Sequence, residues 1–68
     1  MKKTYREEVL AALKDTLNGE ITVHIVDGLL IITIINCFYY QETLPMLPVW
    51  DVVNRITNDL IYIIFKKC

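Results

Sequence analysis

From Ile21 to Phe38 the chain is dominated by apolar residues, many of them β-branched, and the run is interrupted at Asp27-Gly28. β-Branched side chains suit a pleated, half-buried surface. Asp-Gly is a strong two-residue hairpin signal, because a type I′ turn needs positive φ at both central positions. A two-residue loop sets the register. Val26 should face Leu29, Ile25 face Leu30, His24 face Ile31, Val23 face Ile32, Thr22 face Thr33 and Ile21 face Ile34.

Side chains alternate between the two faces of a strand. One face of the hairpin is then wholly apolar, with Ile21, Val23, Ile25, Leu30, Ile32 and Ile34. The other is mixed, with Thr22, His24, Val26, Leu29, Ile31, Thr33 and Ile35. The apolar face should lie against helices. The mixed face has no obvious partner within so short a chain.

Two helical patterns flank the hairpin. Thr4 and Glu7 form a capping box, hydroxyl to the amide of Glu7 and carboxylate back to the amide of Thr4. A helix follows from about Tyr5 to Leu17, with Val9, Leu10, Leu13 and Leu17 as its apolar stripe. Asn18-Gly19 should end it, with Gly19 suited to a left-handed position. The second helix should run from about Pro48 to Lys66, with Pro48 in its first turn, where a missing N–H costs nothing. Val49, Val52, Val53, Ile56, Leu60, Ile63 and Ile64 line one face. Asp51 and Arg55 are spaced for an i,i+4 ion pair on the other. Ile61 and Phe65 join the stripe of Trp50 and Thr57, so the apolar arc widens toward the C-terminal end.

Between hairpin and second helix, Asn36–Tyr40 extends the strand or bends into a third. Thr43–Pro48 holds two prolines and reads as an extended connector. The predicted architecture is a single α+β domain over residues 1–68 of order α-β-β-α. Two helices pack on one face of a β-hairpin, with room for a short third strand near 37–42.

Composition sharpens the question of the mixed face. The chain has 68 residues, 54% of them hydrophobic, and a mean hydropathy of +0.40. A domain of this size buries only about 60% of its unfolded surface. That is more apolar material than one small core readily hides, which points to an interface or an oligomer.

Charge points nowhere in particular. Seven Lys/Arg against eight Asp/Glu leave a net charge of −1, with no block of one sign for nucleic acid or acidic lipid. Lys2, Lys3, Arg6 and Lys14, or Lys66 and Lys67, are the only phosphate contacts such a role offers. The N-terminal residues read as a polar helix and not as an apolar secretory signal. The longest near-apolar run, Leu29–Tyr40, is interrupted by Asn36 and falls short of the roughly 20 residues of a membrane span. Two cysteines, Cys37 and Cys68, make no disulfide framework, so a cytoplasmic protein is expected.

The candidate chemistry is thin. His24 is the only histidine, and its predicted neighbours Ile31, Thr22 and Val26 supply neither nucleophile nor orienting group. Cys37 reads as a buried small hydrophobe. His24 and two scattered cysteines lack zinc spacing, and no metal or cofactor is expected. The carboxylates sit on predicted helix surfaces and turns, with no pair forced into one pocket. A chain this short rarely encloses a cavity of about 300 Å3. Phe38, Tyr39, Tyr40 and Trp50 could stack bases, but the basic neighbours such sites need are missing between His24 and Arg55.

The expectation is therefore a non-catalytic protein-interaction module that associates with itself or with another protein. Its surface is the mixed sheet face, Thr22, His24, Val26, Leu29, Ile31 and Ile35, together with Ile61 and Phe65 at the end of the second helix. A variant is a phage-type inhibitor that docks the same face on a host protein. A small nucleic-acid-binding regulator is the alternative of another class.

Overall fold

The computed structural model describes residues 4–63. The order is α1 (Tyr5–Thr16), β1 (Glu20–Val26), β2 (Leu29–Ile35), β3 (Tyr39–Pro45) and α2 (Val49–Ile63). The three strands form one antiparallel sheet in the order β1-β2-β3.

The β1–β2 register is the predicted one at every pair, from Val26 opposite Leu29 to Ile21 opposite Ile34. Asp27 and Gly28 both take positive φ, 53° and 76°, as the hairpin turn demands. The inward residues Ile21, Val23, Leu30, Ile32 and Ile34 are buried. Ile25 departs from the expectation: it points to the same face yet is 39% exposed. The helices cover its partner Leu30 but leave the β1 side of the hairpin tip bare.

β3 is a full strand, longer than the short third strand near 37–42 and displaced from it. It takes up Thr43, Leu44 and Pro45, which the two prolines had marked as connector. The ladder explains why Pro45 fits. Antiparallel residues direct both backbone groups to one side, alternating along the strand. With Val26 and Leu29 closing the hairpin, Leu30, Ile32 and Ile34 turn their backbone groups toward β3. They bond Leu44, Glu42 and Tyr40 in the observed register. Pro45 falls on an outward-facing position, where no ladder bond is lost.

Both helices lie on the inner face, and one core joins the layers. Val9 and Leu13 of α1 and Val52, Val53, Ile56 and Leu60 of α2 bury against Val23, Ile32, Ile34 and Leu44. α1 opens with the predicted capping box. It ends at Leu17, whose backbone is extended, so the left-handed cap expected at Gly19 is not what stops it. Gly19 instead has φ 118° and approaches β2 so closely that a Cβ would meet the Ile35 carbonyl oxygen at 2.9 Å. α2 begins after Pro48, whose carbonyl accepts from the amides of Asp51 and Val52. Its predicted continuation to Lys66, and with it Ile64 and Phe65, lies outside the described residues. No helix among the described residues is long and apolar enough to cross a membrane.

Candidate functional site

Among the described residues, no helix covers the outer face of the sheet. Thr22, His24, Val26, Leu29 and Ile35 are all exposed on it, with Ile31 and Thr33 half-buried between them. β3 adds Tyr39, Gln41, Thr43 and Pro45 to the same face. Six of the eight expected surface residues are thereby brought onto one side of one sheet. Tyr39, 64% exposed, pairs with Ile35 and extends the apolar strip beyond the hairpin.

His24 has Ile31 opposite it and accepts or donates no hydrogen bond to a side chain among the described residues. Polar residues on this face are Glu20, Thr22, His24, Thr33, Gln41 and Thr43, and Gln41 Nε2 donates to Thr33 Oγ1 at 3.2 Å. The face is suited to docking, where apolar contact supplies the affinity and a few polar groups set the fit.

Ile61 is separate from it. It is 69% exposed on α2, in line with Trp50, which is 70% exposed. Trp50 and Ile61 of the predicted stripe are therefore bare, on the helix layer and away from the open face, whereas Thr57 between them is half-buried, its Oγ1 buried without a hydrogen-bond partner among the described residues. Phe65, expected beside Ile61, lies outside the described residues.

The aromatic run is split by the strand. Tyr40 is buried, Tyr39 lies on the open face and Phe38 is half-buried. Cys37 is exposed, not buried, and is not a free thiol. The reading of it as a buried hydrophobe is corrected: it sits in the loop between β2 and β3.

One side-chain cluster was missed by sequence reasoning. Tyr40 Oη donates to Glu42 Oε1 and lies 3.2 Å from Asp59 Oδ2. Arg55 Nε donates to Glu42 Oε2 at 3.0 Å. Two carboxylates thus converge on one phenol, against the expectation that none would be brought together. Arg55 takes Glu42 and not Asp51, the i,i+4 partner the spacing suggested. Burial, then the adjoining Glu42 carboxylate, raises the Tyr40 phenol far above its ordinary 10.0, and Glu42 likewise raises Arg55. The phenol is held neutral at any physiological pH, so the cluster works as an interlock between β3 and α2.

A cleft of about 340 Å3 lies beside the start of β1, lined by Lys14, Gly19, Glu20, Thr22, Thr33 and Ile35 among others. It is an open cleft and not an enclosed cavity. It brings one ammonium and one carboxylate together with hydroxyls. Among the described residues no group of three His, Cys, Asp or Glu is placed to hold a metal ion.

α1 guards the outer edge of β1. Arg6 Nε donates to the carbonyl of Val23, one of the β1 carbonyls that point away from β2, and Tyr5 Oη donates to the carbonyl of Leu47. Arg6, one of the cations available for phosphate, is engaged with this edge. Comparison with known proteins finds no matching family model, no similar curated protein and no similar solved structure.

Proposed function

We propose that this chain is a non-catalytic protein–protein interaction module that self-associates. Its docking surface is the open sheet face, Thr22, His24, Val26, Leu29, Ile31 and Ile35, with Ile61 on α2 as a second apolar contact. One observation carries the reading. Val26 and Leu29 at the hairpin end, continued by half-buried Ile31, and Ile35 and Tyr39 at the other end are large apolar side chains exposed on one side of the sheet, while on the opposite side the apolar residues other than Ile25 are taken up by the core. A contiguous apolar patch on a small domain marks an interaction surface more often than scattered exposed residues do. The partner class is protein: the face carries no Lys or Arg, so it lacks the charge that phosphate binding needs.

Sedimentation velocity tests this on the wild type and on Ile31→Lys, which places a charge at the centre of the face. Association that grows with concentration and weakens in the variant supports the proposal. Equal behaviour of the two proteins, or a strict monomer at hundreds of micromolar, contradicts it.

A further inference from the structure

We propose that two copies of this chain pair antiparallel along β3, with Gln41 on the two-fold axis. This rests on the reading that the chain self-associates and adds an edge contact to the face contact.

The two sheet edges are unlike. The β1 edge has the Arg6 guanidinium on its Val23 carbonyl. Among the described residues the β3 edge has no such guard. Tyr39, Gln41 and Thr43 turn their backbone N–H and C=O away from β2, as the observed register requires. Their side chains are exposed and uncharged, and among the described residues no hydrogen bond reaches these outward groups. The outward positions offer neither charge nor cover, with Glu42 between them on the inner face, and such a row of backbone groups is a template for another strand.

The register follows from pairing rules. Centred on Gln41, Tyr39 meets the partner's Thr43, Gln41 meets the partner's Gln41 and Thr43 meets the partner's Tyr39. Each of these pairs exchanges two backbone bonds. Centred on Thr43, Gln41 would meet the partner's Pro45, which has no N–H to give. Centred on Tyr40, Thr43 would pass the end of the partner's strand.

Charge selects the same register. β3 and α2 run antiparallel, so Glu42 lies under Arg55 and Tyr40 under Asp59. With Gln41 on the axis, Tyr40 faces the partner's Glu42, and Asp59 is carried toward the partner's Arg55. That opposition of unlike charges occurs twice. Centred on Glu42, the same two-fold sets Glu42 against the partner's Glu42 and Arg55 toward the partner's Arg55, like against like. The favoured pairing keeps both helix layers on one side and merges the two open faces into one surface.

Gln41→Pro tests the edge with the β2–β3 ladder kept, because the lost N–H points away from β2; Gln41→Ala, which gives up only the exposed side-chain bond to Thr33, is its control and should associate as the wild type does. Sedimentation velocity should show its dimer dissociation constant raised on the order of tenfold or more for the bonds removed. Amide hydrogen exchange by NMR reads the wild type directly. The Gln41 and Thr43 amides should exchange fast when dilute and slow as concentration rises. Association that persists while those two amides stay fast overturns the edge pairing and leaves the self-association reading intact. A wild type that stays monomeric throughout overturns both.

Discussion

Arg55 Nε lies 3.0 Å from Glu42 Oε2, and this pair fastens α2 to the edge strand β3. Tyr40, two residues before Glu42 on the same face, reaches both Glu42 and Asp59 with its hydroxyl. The rim of the core beneath α2 is therefore closed by hydrogen bonds where the interior is closed by aliphatic packing. At an exposed guanidinium such a pair contributes little through charge alone. The half-buried phenol between two carboxylates is the costlier part to disturb.

Tyr40→Phe should lower stability by about 1 kcal/mol at neutral pH, through the hydrogen bonds it removes. The pH dependence is more specific. Burial and the neighbouring carboxylates raise the folded phenol above the ordinary 10.0 of the unfolded chain. Below that pH both states hold the proton and its contribution is complete. Above it the unfolded phenol ionises first, so stability falls as pH rises beyond about 10. Urea unfolding between pH 9 and about 11 should show a shallower alkaline decline in Tyr40→Phe than in the wild type. Part of the decline should remain, because burial raises Tyr5 as well.

Adjacent isoleucines on β2 should behave oppositely. Ile32 is fully buried in the core and Ile31 lies on the open face. Ile32→Ala should cost about 3 kcal/mol, from lost transfer energy and the cavity left behind. Ile31→Ala should cost less than about 1 kcal/mol. Chemical denaturation of the two variants side by side reads the difference; similar losses would mean the open face is packed in the folded chain.

The two glycines should also separate. Gly28 has φ 76° with open space around it, whereas Gly19 has φ 118° and β2 backbone at 2.9 Å from the position of a Cβ. Gly28→Ala should cost about 1 kcal/mol for the left-handed backbone alone. Gly19→Ala should cost more, because the Ile35 carbonyl must also move. Thermal unfolding gives the ranking.

Thr4→Ala removes the hydroxyl that accepts from the Glu7 amide at 3.2 Å. The reciprocal bond from the Thr4 amide to Glu7 Oε1 survives the change. A loss of about 1 kcal/mol is expected, and circular dichroism should show it as earlier fraying of α1.

Much of this architecture is legible in the residues. Asp27-Gly28 sets a two-residue loop, and that loop alone dictates which side chain opposes which and which face is wholly apolar. β3 is harder to read because Pro45 looks like a breaker. Only the ladder reveals that its nitrogen faces outward. The Tyr40–Glu42–Arg55–Asp59 cluster is beyond local reading for a similar reason. Its members become neighbours once α2 lies antiparallel over β3, and Arg55 has a suitable carboxylate four residues away that it does not use. Ile25 belongs to the apolar face by alternation, yet its exposure depends on where the helix layer ends. The open face was legible as an excess of isoleucine, and Tyr39 joins it only because β3 is a strand.

Static light scattering from tens to hundreds of micromolar tests the central claim most directly. The chain has a mass of 8.0 kDa. The account predicts a weight-average mass that rises with concentration toward at least twice that value, and a smaller rise for Ile31→Lys. A mass that stays at 8.0 kDa across the whole concentration range would contradict it.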